Sequence, residues 1–157
     1  MRSNFFRKMA PNECYTPLIH AMIRAMLQEE EFSSAYRKLG IQLFPLYESA
    51  ARRKTTPPSY KELYEIGRAF ISMDEEDQLV ATCVSVAVTM QALLFCNGVD
   101  AELLIGLKKI DEKLFAHAWV RMPDGQMLDP QEKYGDLHIT KVLRLKEQAE
   151  RWALSIP

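Results

Sequence analysis

Surplus charge, paired cysteines and repeated sequence are all missing from this chain, and each absence removes a class of function. Lys and Arg number 20 against 21 Asp and Glu, a formal charge of −1. Without a basic surplus no long-range field draws the protein to nucleic acid or to an anionic membrane, so partners must be recognised locally. No nucleic-acid-binding motif is present either. The three cysteines, Cys14, Cys83 and Cys96, are an odd number and lie in no CxxC or paired spacing. That pattern argues against a disulfide framework and a zinc site, and fits free thiols in a reducing cell interior. There is no nucleotide-binding loop, and any ATP requirement would more naturally belong to a partner; no cofactor and no metal are expected. Arg2, Arg7 and Lys8 have no apolar run or cleavage-site pattern behind them, which predicts no signal peptide and a cytoplasmic protein. Leu79 to Cys96 carries no charged residue, but Thr82, Cys83, Ser85, Thr89 and Gln91 interrupt it, so it reads as a buried helix and not as a membrane span.

What is present is the material of one α+β domain. With 157 residues and 48% hydrophobic composition the chain can bury roughly two-thirds of its extended-chain surface. We read residues 1–157 as one domain, with a helical N-terminal portion over 1–58 and a core over 59–157. Leu18, Ile19, Met22, Ile23, Met26 and Leu27 repeat at helical spacing after Thr16-Pro17 and predict a helix ending in Glu29-Glu30-Glu31. Phe32 to Leu39 predicts a short helix stopped by Gly40, and Pro45 interrupts the segment Leu43 to Arg52. Lys54 to Pro58 reads as a loop. Ser59 and Glu62 form a capping box ahead of a helix from about Tyr60 to Ile71. The acidic run Asp74-Glu75-Glu76-Asp77 precedes the apolar helix, which Asn97-Gly98 should end. Ala101 to Leu107, Phe115 to Met122 and Gln126 to Leu128 read as strands, the last two joined by the turn Pro123-Asp124-Gly125. His138 to Leu143 suits a further strand and Leu143 to Leu154 a closing helix.

Three side chains in this framework carry chemistry. Cys83 falls at or near the first turn of the apolar helix, where the helix dipole favours a thiolate; a neighbouring imidazolium lowers a thiol pKa much further. A cysteine in an apolar helix is more often a small buried hydrophobe, as Cys96 is expected to be. Alternation puts Phe115, His117, Trp119 and Arg121 on one face of their strand, and Ala116, Ala118, Val120 and Met122 on the other. If the turn pairs Met122 with Gln126, Asp129 comes opposite Trp119, one diagonal step from His117 and roughly 7–8 Å away. A register shifted by one points Asp129 away from it. Asp136, with nearby His138, is a poorer substitute, because no predicted pairing brings either to His117. Trp119 either walls this site or is simply core, and Met22 and Met26 read as packing.

Cys, His and Asp in this order, together with Gly98-Val99-Asp100-Ala101-Glu102-Leu103-Leu104-Ile105-Gly106, Ala116-His117-Ala118-Trp119-Val120 and Asp124-Gly125, resemble the transglutaminase-like leader peptidases of lasso-peptide maturation. The resemblance covers about Asp77 to Tyr134. It implies a papain-like core in which a helix carrying the cysteine packs on an antiparallel sheet carrying His and Asp. By that resemblance Cys83 is the nucleophile, His117 the general base and acid, and Asp129 the residue that orients the imidazole. The Cys83 backbone N–H and Gln78, by analogy with the glutamine preceding papain-type nucleophiles, are candidates for the oxyanion hole. Val84-Ser85-Val86-Ala87 departs from the polar residue and serine that often follow the nucleophile, and Leu128-Asp129-Pro130 is similar to the wider transglutaminase-like group.

The activity so implied is removal of a leader peptide from a ribosomally made lasso-peptide precursor. The partners implied are the leader peptide, a separate leader-recognition protein and a macrolactam-forming cyclase. The N-terminal helices, Thr16 to Ala51, offer a docking surface for the recognition protein. A transglutaminase-like acyl transferase with the same triad, and a non-catalytic scaffold that binds the precursor, are the alternatives.

Overall fold

The computed structural model describes residues 16–76 and 82–155, with side chains over 19–72 and 83–151. Three helices come first: α1 (Thr16–Glu29), α2 (Phe32–Arg53) and α3 (Tyr60–Glu76). The apolar helix α4 (Thr82–Cys96) follows, then β1 (Glu102–Ile110), β2 (Lys113–Arg121), β3 (Met127–Leu128), β4 (His138–Leu143) and α5 (Leu145–Ser155). The strands form one antiparallel sheet in the order β3-β2-β1-β4. This is the expected α+β architecture, a cysteine-bearing helix packed on an antiparallel sheet.

Helix α4 is apolar on all sides because it is covered on all sides. Helices α1, α2 and α3 pack around it, and the sheet lies against it mainly through β2. Val86, Ala87, Met90, Leu93 and Leu94 of α4 share one core with Ile23, Leu39 and Phe70 of the flanking helices and Leu103, Ala118 and Val120 of the sheet. The helix ends as its sequence dictates. Gly98 has φ +84, the Val99 N–H donates to the Leu94 carbonyl at 2.9 Å, and the Gly98 N–H donates to Phe95 at 3.0 Å, a Schellman cap. Buried polar groups in this core are paired: Tyr36 donates to Gln91 at 3.0 Å, and Gln91 donates to the Ala101 and Leu143 carbonyls.

Two expectations about the helices are corrected. Gly40 does not stop a helix; α2 runs through both Gly40 and Pro45 as a single 22-residue element. Gly40 instead lets α5 approach, since a Cβ there would lie 2.6 Å from the Leu145 carbonyl oxygen and 2.9 Å from Gln148 Cβ. Pro45 is on the exposed side, where water can satisfy the carbonyl its missing N–H leaves free. Helix α3 is also longer than expected. Its start is the capping box: the Glu62 N–H donates to Ser59 Oγ at 3.2 Å, and that hydroxyl donates to the Glu62 carboxylate at 3.1 Å.

The sheet has two connections that fix its registers. Asp111 and Glu112, with φ of 47 and 66, form a two-residue turn that pairs Ile110 with Lys113, a turn that the sequence reading did not include. Pro123-Asp124-Gly125 joins β2 to β3; the Met122 N–H donates to the Gln126 carbonyl at 2.8 Å, and Gly125 has φ +90. Val120 then pairs with Leu128. Among the described residues, no helix is long and apolar enough to cross a membrane, and no group of three His, Cys, Asp or Glu is arranged to hold a metal ion.

Candidate active site

The β2–β3 ladder carries Asp129 to His117. Because Val120 pairs with Leu128, Asp129 follows as the residue opposite Trp119, the register in which its carboxylate shares a face with the imidazole. His117 Nε2 and Asp129 Oδ2 are 2.9 Å apart, with both side chains 2% exposed. A buried carboxylate needs further donors, and the chain supplies them locally. The Gln131 N–H donates to Oδ1 at 3.1 Å and the Lys133 N–H to Oδ2 at 2.7 Å. Two side chains of α3 secure the same stretch. Tyr60 Oη donates to the Met127 carbonyl at 2.9 Å, and Tyr64 Oη donates to Glu132 at 2.7 Å. Gly67 lies against Pro130 so closely that an added Cβ would sit 2.4 Å from its ring.

Cys83 comes from the opposite wall. It is the second residue of α4, so its own N–H is among those with no partner inside the helix. The half-buried thiol hydrogen-bonds with His117 and with the backbones of Ala118 and Val84. Since Nε2 is taken by Asp129, Nδ1 is the ring atom left for the thiol. A small cavity of about 10 Å³ lies among Cys83, Met90, His117, Asp129 and Pro130, room for about one water. Anything larger must reach the sulfur from outside.

The three groups set one another's protonation. Burial pushes the Cys83 thiol up, but the hydrogen bond and charge of His117 and the Ala118 and Val84 backbones outweigh it, so its pKa falls below the ordinary 9.0. Burial pushes His117 down, yet its hydrogen bonds to Asp129 and Cys83, and their charges, raise it from 6.5 to about 9. Burial pushes Asp129 up; His117 and the Lys133 and Gln131 amides bring it below the usual carboxylate value. A lowered thiol beside a raised imidazole shifts the balance from the neutral pair toward thiolate and imidazolium. Cys96, at the other end of the same helix, has only burial and rises to about 11.

Trp119 is 1% exposed and stacks on His117 with centroids 5.9 Å apart. It is fixed by Nε1 donating to Met127 Sδ at 3.3 Å, by Tyr134 stacked at 5.9 Å, and by Gly106, where a Cβ would come 2.8 Å from its ring. It is therefore both core and a wall of the site. Asp136 pairs with Lys108, and His138 lies exposed on β4. Gln78 and Cys14 lie outside the described residues. Sequence reasoning missed the Gln131 and Lys133 amides that hold Asp129. The signal was the Asp-Pro step, which favours a turn folding the following backbone onto the carboxylate.

Compared with known protein families, residues 26–143 match the transglutaminase-like superfamily. No curated protein and no solved structure matched the chain.

Proposed function

The chain belongs to the transglutaminase-like superfamily, and from that membership we propose that it is a cysteine peptidase cutting one peptide bond near the end of the leader of a ribosomally made lasso-peptide precursor. The observation that supports this reading best is the convergence of Cys83, His117 and Asp129, with the thiol lowered and the imidazole raised. Cys83 Sγ attacks the scissile carbonyl, forming the S–C bond and a tetrahedral oxyanion next to the α4 N-terminus. The Cys83 N–H is the donor in place for that charge, a contribution of about 3–4 kcal/mol in comparable sites. Collapse breaks the C–N bond as His117 gives its proton to the leaving amine. Water then attacks the acyl-enzyme, His117 accepts its proton, and the carboxylate product leaves the thiolate free. Asp129 keeps Nδ1 directed at the sulfur throughout. The partners in this reading are the leader peptide, a separate recognition protein and a macrolactam-forming cyclase, in a cytoplasmic setting.

Acyl transfer to an amine is the second reading, favoured by the breadth of the matched family. The two share every step up to the acyl-enzyme and diverge in what resolves it. The first experiment is alkylation by iodoacetamide across pH, each cysteine followed by mass spectrometry, in wild type and His117→Ala. The peptidase and transferase readings both expect fast labelling of Cys83 below neutral pH, lost in His117→Ala, while Cys96 stays slow. Slow labelling indifferent to His117 overturns both and favours a precursor-binding scaffold. Product mass with a cognate precursor then separates addition of water from addition of an amine, and either product must vanish in Cys83→Ala.

A further inference from the structure

Four non-glycine residues among those described have a left-handed backbone: Lys54, Asp111, Glu112 and Glu132. That conformation is costly for a residue with a long side chain, so each instance needs a reason. Lys54 caps the C-terminus of α2, and Asp111 with Glu112 makes the two-residue turn between β1 and β2. Glu132, at φ +54, lies between β3 and β4, at neither a helix end nor a tight hairpin.

The reason lies three residues back. Asp129 opens a turn in which the Glu132 N–H donates to the Asp129 carbonyl at 3.0 Å, and within it the Gln131 N–H reaches the carboxylate Oδ1. The left-handed residue then folds the next peptide group back. The Lys133 N–H thereby meets Oδ2 at 2.7 Å, the same oxygen that lies 2.9 Å from His117 Nε2. With Glu132 extended or right-handed, that amide would point elsewhere and a buried carboxylate would lose a donor.

Glycine would take this conformation at no steric cost, yet the chain has a glutamate whose side chain is anchored. Tyr64 Oη of α3 donates to Glu132 Oε1 at 2.7 Å. Arg68, one turn further along α3, hydrogen-bonds the same phenol oxygen. A guanidinium can only donate, so the phenol proton is left for the carboxylate. Gly67, between these two residues, packs on Pro130 and keeps the helix against the turn. Backbone strain persists where its surroundings over-determine it, and it collects at working sites.

We propose that Glu132 is a positioning residue: its carboxylate, anchored on Tyr64, holds the left-handed turn whose Lys133 amide keeps Asp129 on His117. The inference rests on the cysteine-nucleophile reading above and deepens it. The path runs from Tyr64 to Glu132 through a side chain, to Asp129 through one peptide group, and on to His117 and Cys83. The titratable groups facing the turn from other elements are His117 of β2, Cys83 of α4 beyond it, and Tyr60, Tyr64 and Arg68 of α3. Releasing Glu132 loosens the hold of Asp129 on the imidazole, which then binds its proton less tightly and leaves the thiol harder to ionise.

The test is the iodoacetamide alkylation rate of Cys83 against pH, referred to Cys96 in the same protein. The variants are Tyr64→Phe, Glu132→Ala, Glu132→Gln and Glu132→Gly. Tyr64→Phe and Glu132→Ala should label about fivefold more slowly at about pH 7, the factor one hydrogen bond contributes, with the midpoint of the rate profile moved up. Glu132→Gln still accepts from Tyr64, and Glu132→Gly turns left-handed unaided, so both should keep the wild-type midpoint. A lower Tm in Tyr64→Phe and Glu132→Ala with an unmoved midpoint means a merely structural link and overturns the proposal. Glu132→Gly shifted as far as Glu132→Ala overturns it too, because the carboxylate would then act other than through the turn. Tyr64→Phe, which removes a single oxygen, carries the test where Glu132→Ala fails to fold. Fast wild-type labelling with every variant unmoved overturns this proposal alone, whereas slow wild-type labelling indifferent to His117→Ala overturns the nucleophile reading with it.

Discussion

The His117 ring is held from two sides, by Asp129 and by Cys83, and in the proposed reaction that arrangement sets the pH dependence of turnover. Activity should rise as the thiol ionises below its ordinary 9.0 and fall as His117 loses its proton near about 9. The two limbs belong to the coupled pair and not to either residue. In Asp129→Asn the amide oxygen can still accept from Nε2–H, but the charge is gone. His117 should drop toward 6.5 and Cys83 should rise, so the bell closes from both sides. Turnover at neutral pH should fall about a hundredfold or more, since the general base is then misprotonated. The pH profile of kcat/KM checks this; a bell of unchanged width with reduced height would mean that Asp129 only positions the ring. Gly106→Ala acts on the same imidazole indirectly. Its Cβ would lie 2.8 Å from the Trp119 ring and 2.9 Å from Leu137 Cβ, so the ring that stacks on His117 must shift. A loss of about 1–3 kcal/mol of stability is expected, together with slower Cys83 alkylation, read by denaturant titration and labelling in parallel.

At the scale of elements, two glycines mark where helices touch backbone. In an exposed helix Gly40→Ala would stabilise by about 1 kcal/mol through helix propensity. Here the new methyl meets the Leu145 carbonyl oxygen at 2.6 Å, a backbone atom at the start of α5 that cannot rotate away. Overpacking wins, and Gly40→Ala should lower Tm while leaving the relative labelling of Cys83 and Cys96 unchanged, because α5 lies away from the site. Gly67→Ala differs in its consequence. Its methyl would meet Pro130 at 2.4 Å and the Met90 sulfur at 2.9 Å, and Pro130 follows Asp129 directly. That variant should both lower Tm and slow Cys83 alkylation. The contrast also explains what was legible in the sequence. Glycine reads as a helix stop because its usual cost is local, and nothing in the neighbours of Gly40 announces a second helix arriving more than a hundred residues later. Gly98 was legible because its reason, a left-handed cap after an apolar run, is local.

For the whole molecule, legibility follows the same division between local and distant causes. The strands and the capping box at Ser59 follow from periodicity and turn chemistry, whereas the sequence left two β2–β3 registers open, and the one observed is what carries Asp129 to His117. The α3 contacts that hold the Asp129 loop, Tyr60 on Met127 and Gly67 on Pro130, join residues more than sixty apart and have no signature in either segment. How the site bears on global stability depends on counting protons across the pair. A raised folded pKa stabilises below the unfolded value and that gain is lost as pH rises through the folded one; a lowered folded pKa does the reverse. Between 6.5 and about 9 native His117 keeps a proton that the unfolded chain releases. Native Cys83, its pKa lowered, has in turn released a proton that the unfolded chain keeps up to the ordinary 9.0. The pair moves a proton internally, so the two slopes oppose and wild-type Tm should hold nearly level there. Cys83→Ala removes one side of this balance. Asp129 still raises His117, native protein binds the extra proton, and stability should fall with pH from 6.5 by up to about 1.4 kcal/mol per unit. Calorimetry at about pH 6.5 and about pH 8.5 decides it. A wild-type Tm that falls as steeply as that of Cys83→Ala would show that the thiol stays protonated beside His117, and no thiolate–imidazolium pair would exist to attack a substrate.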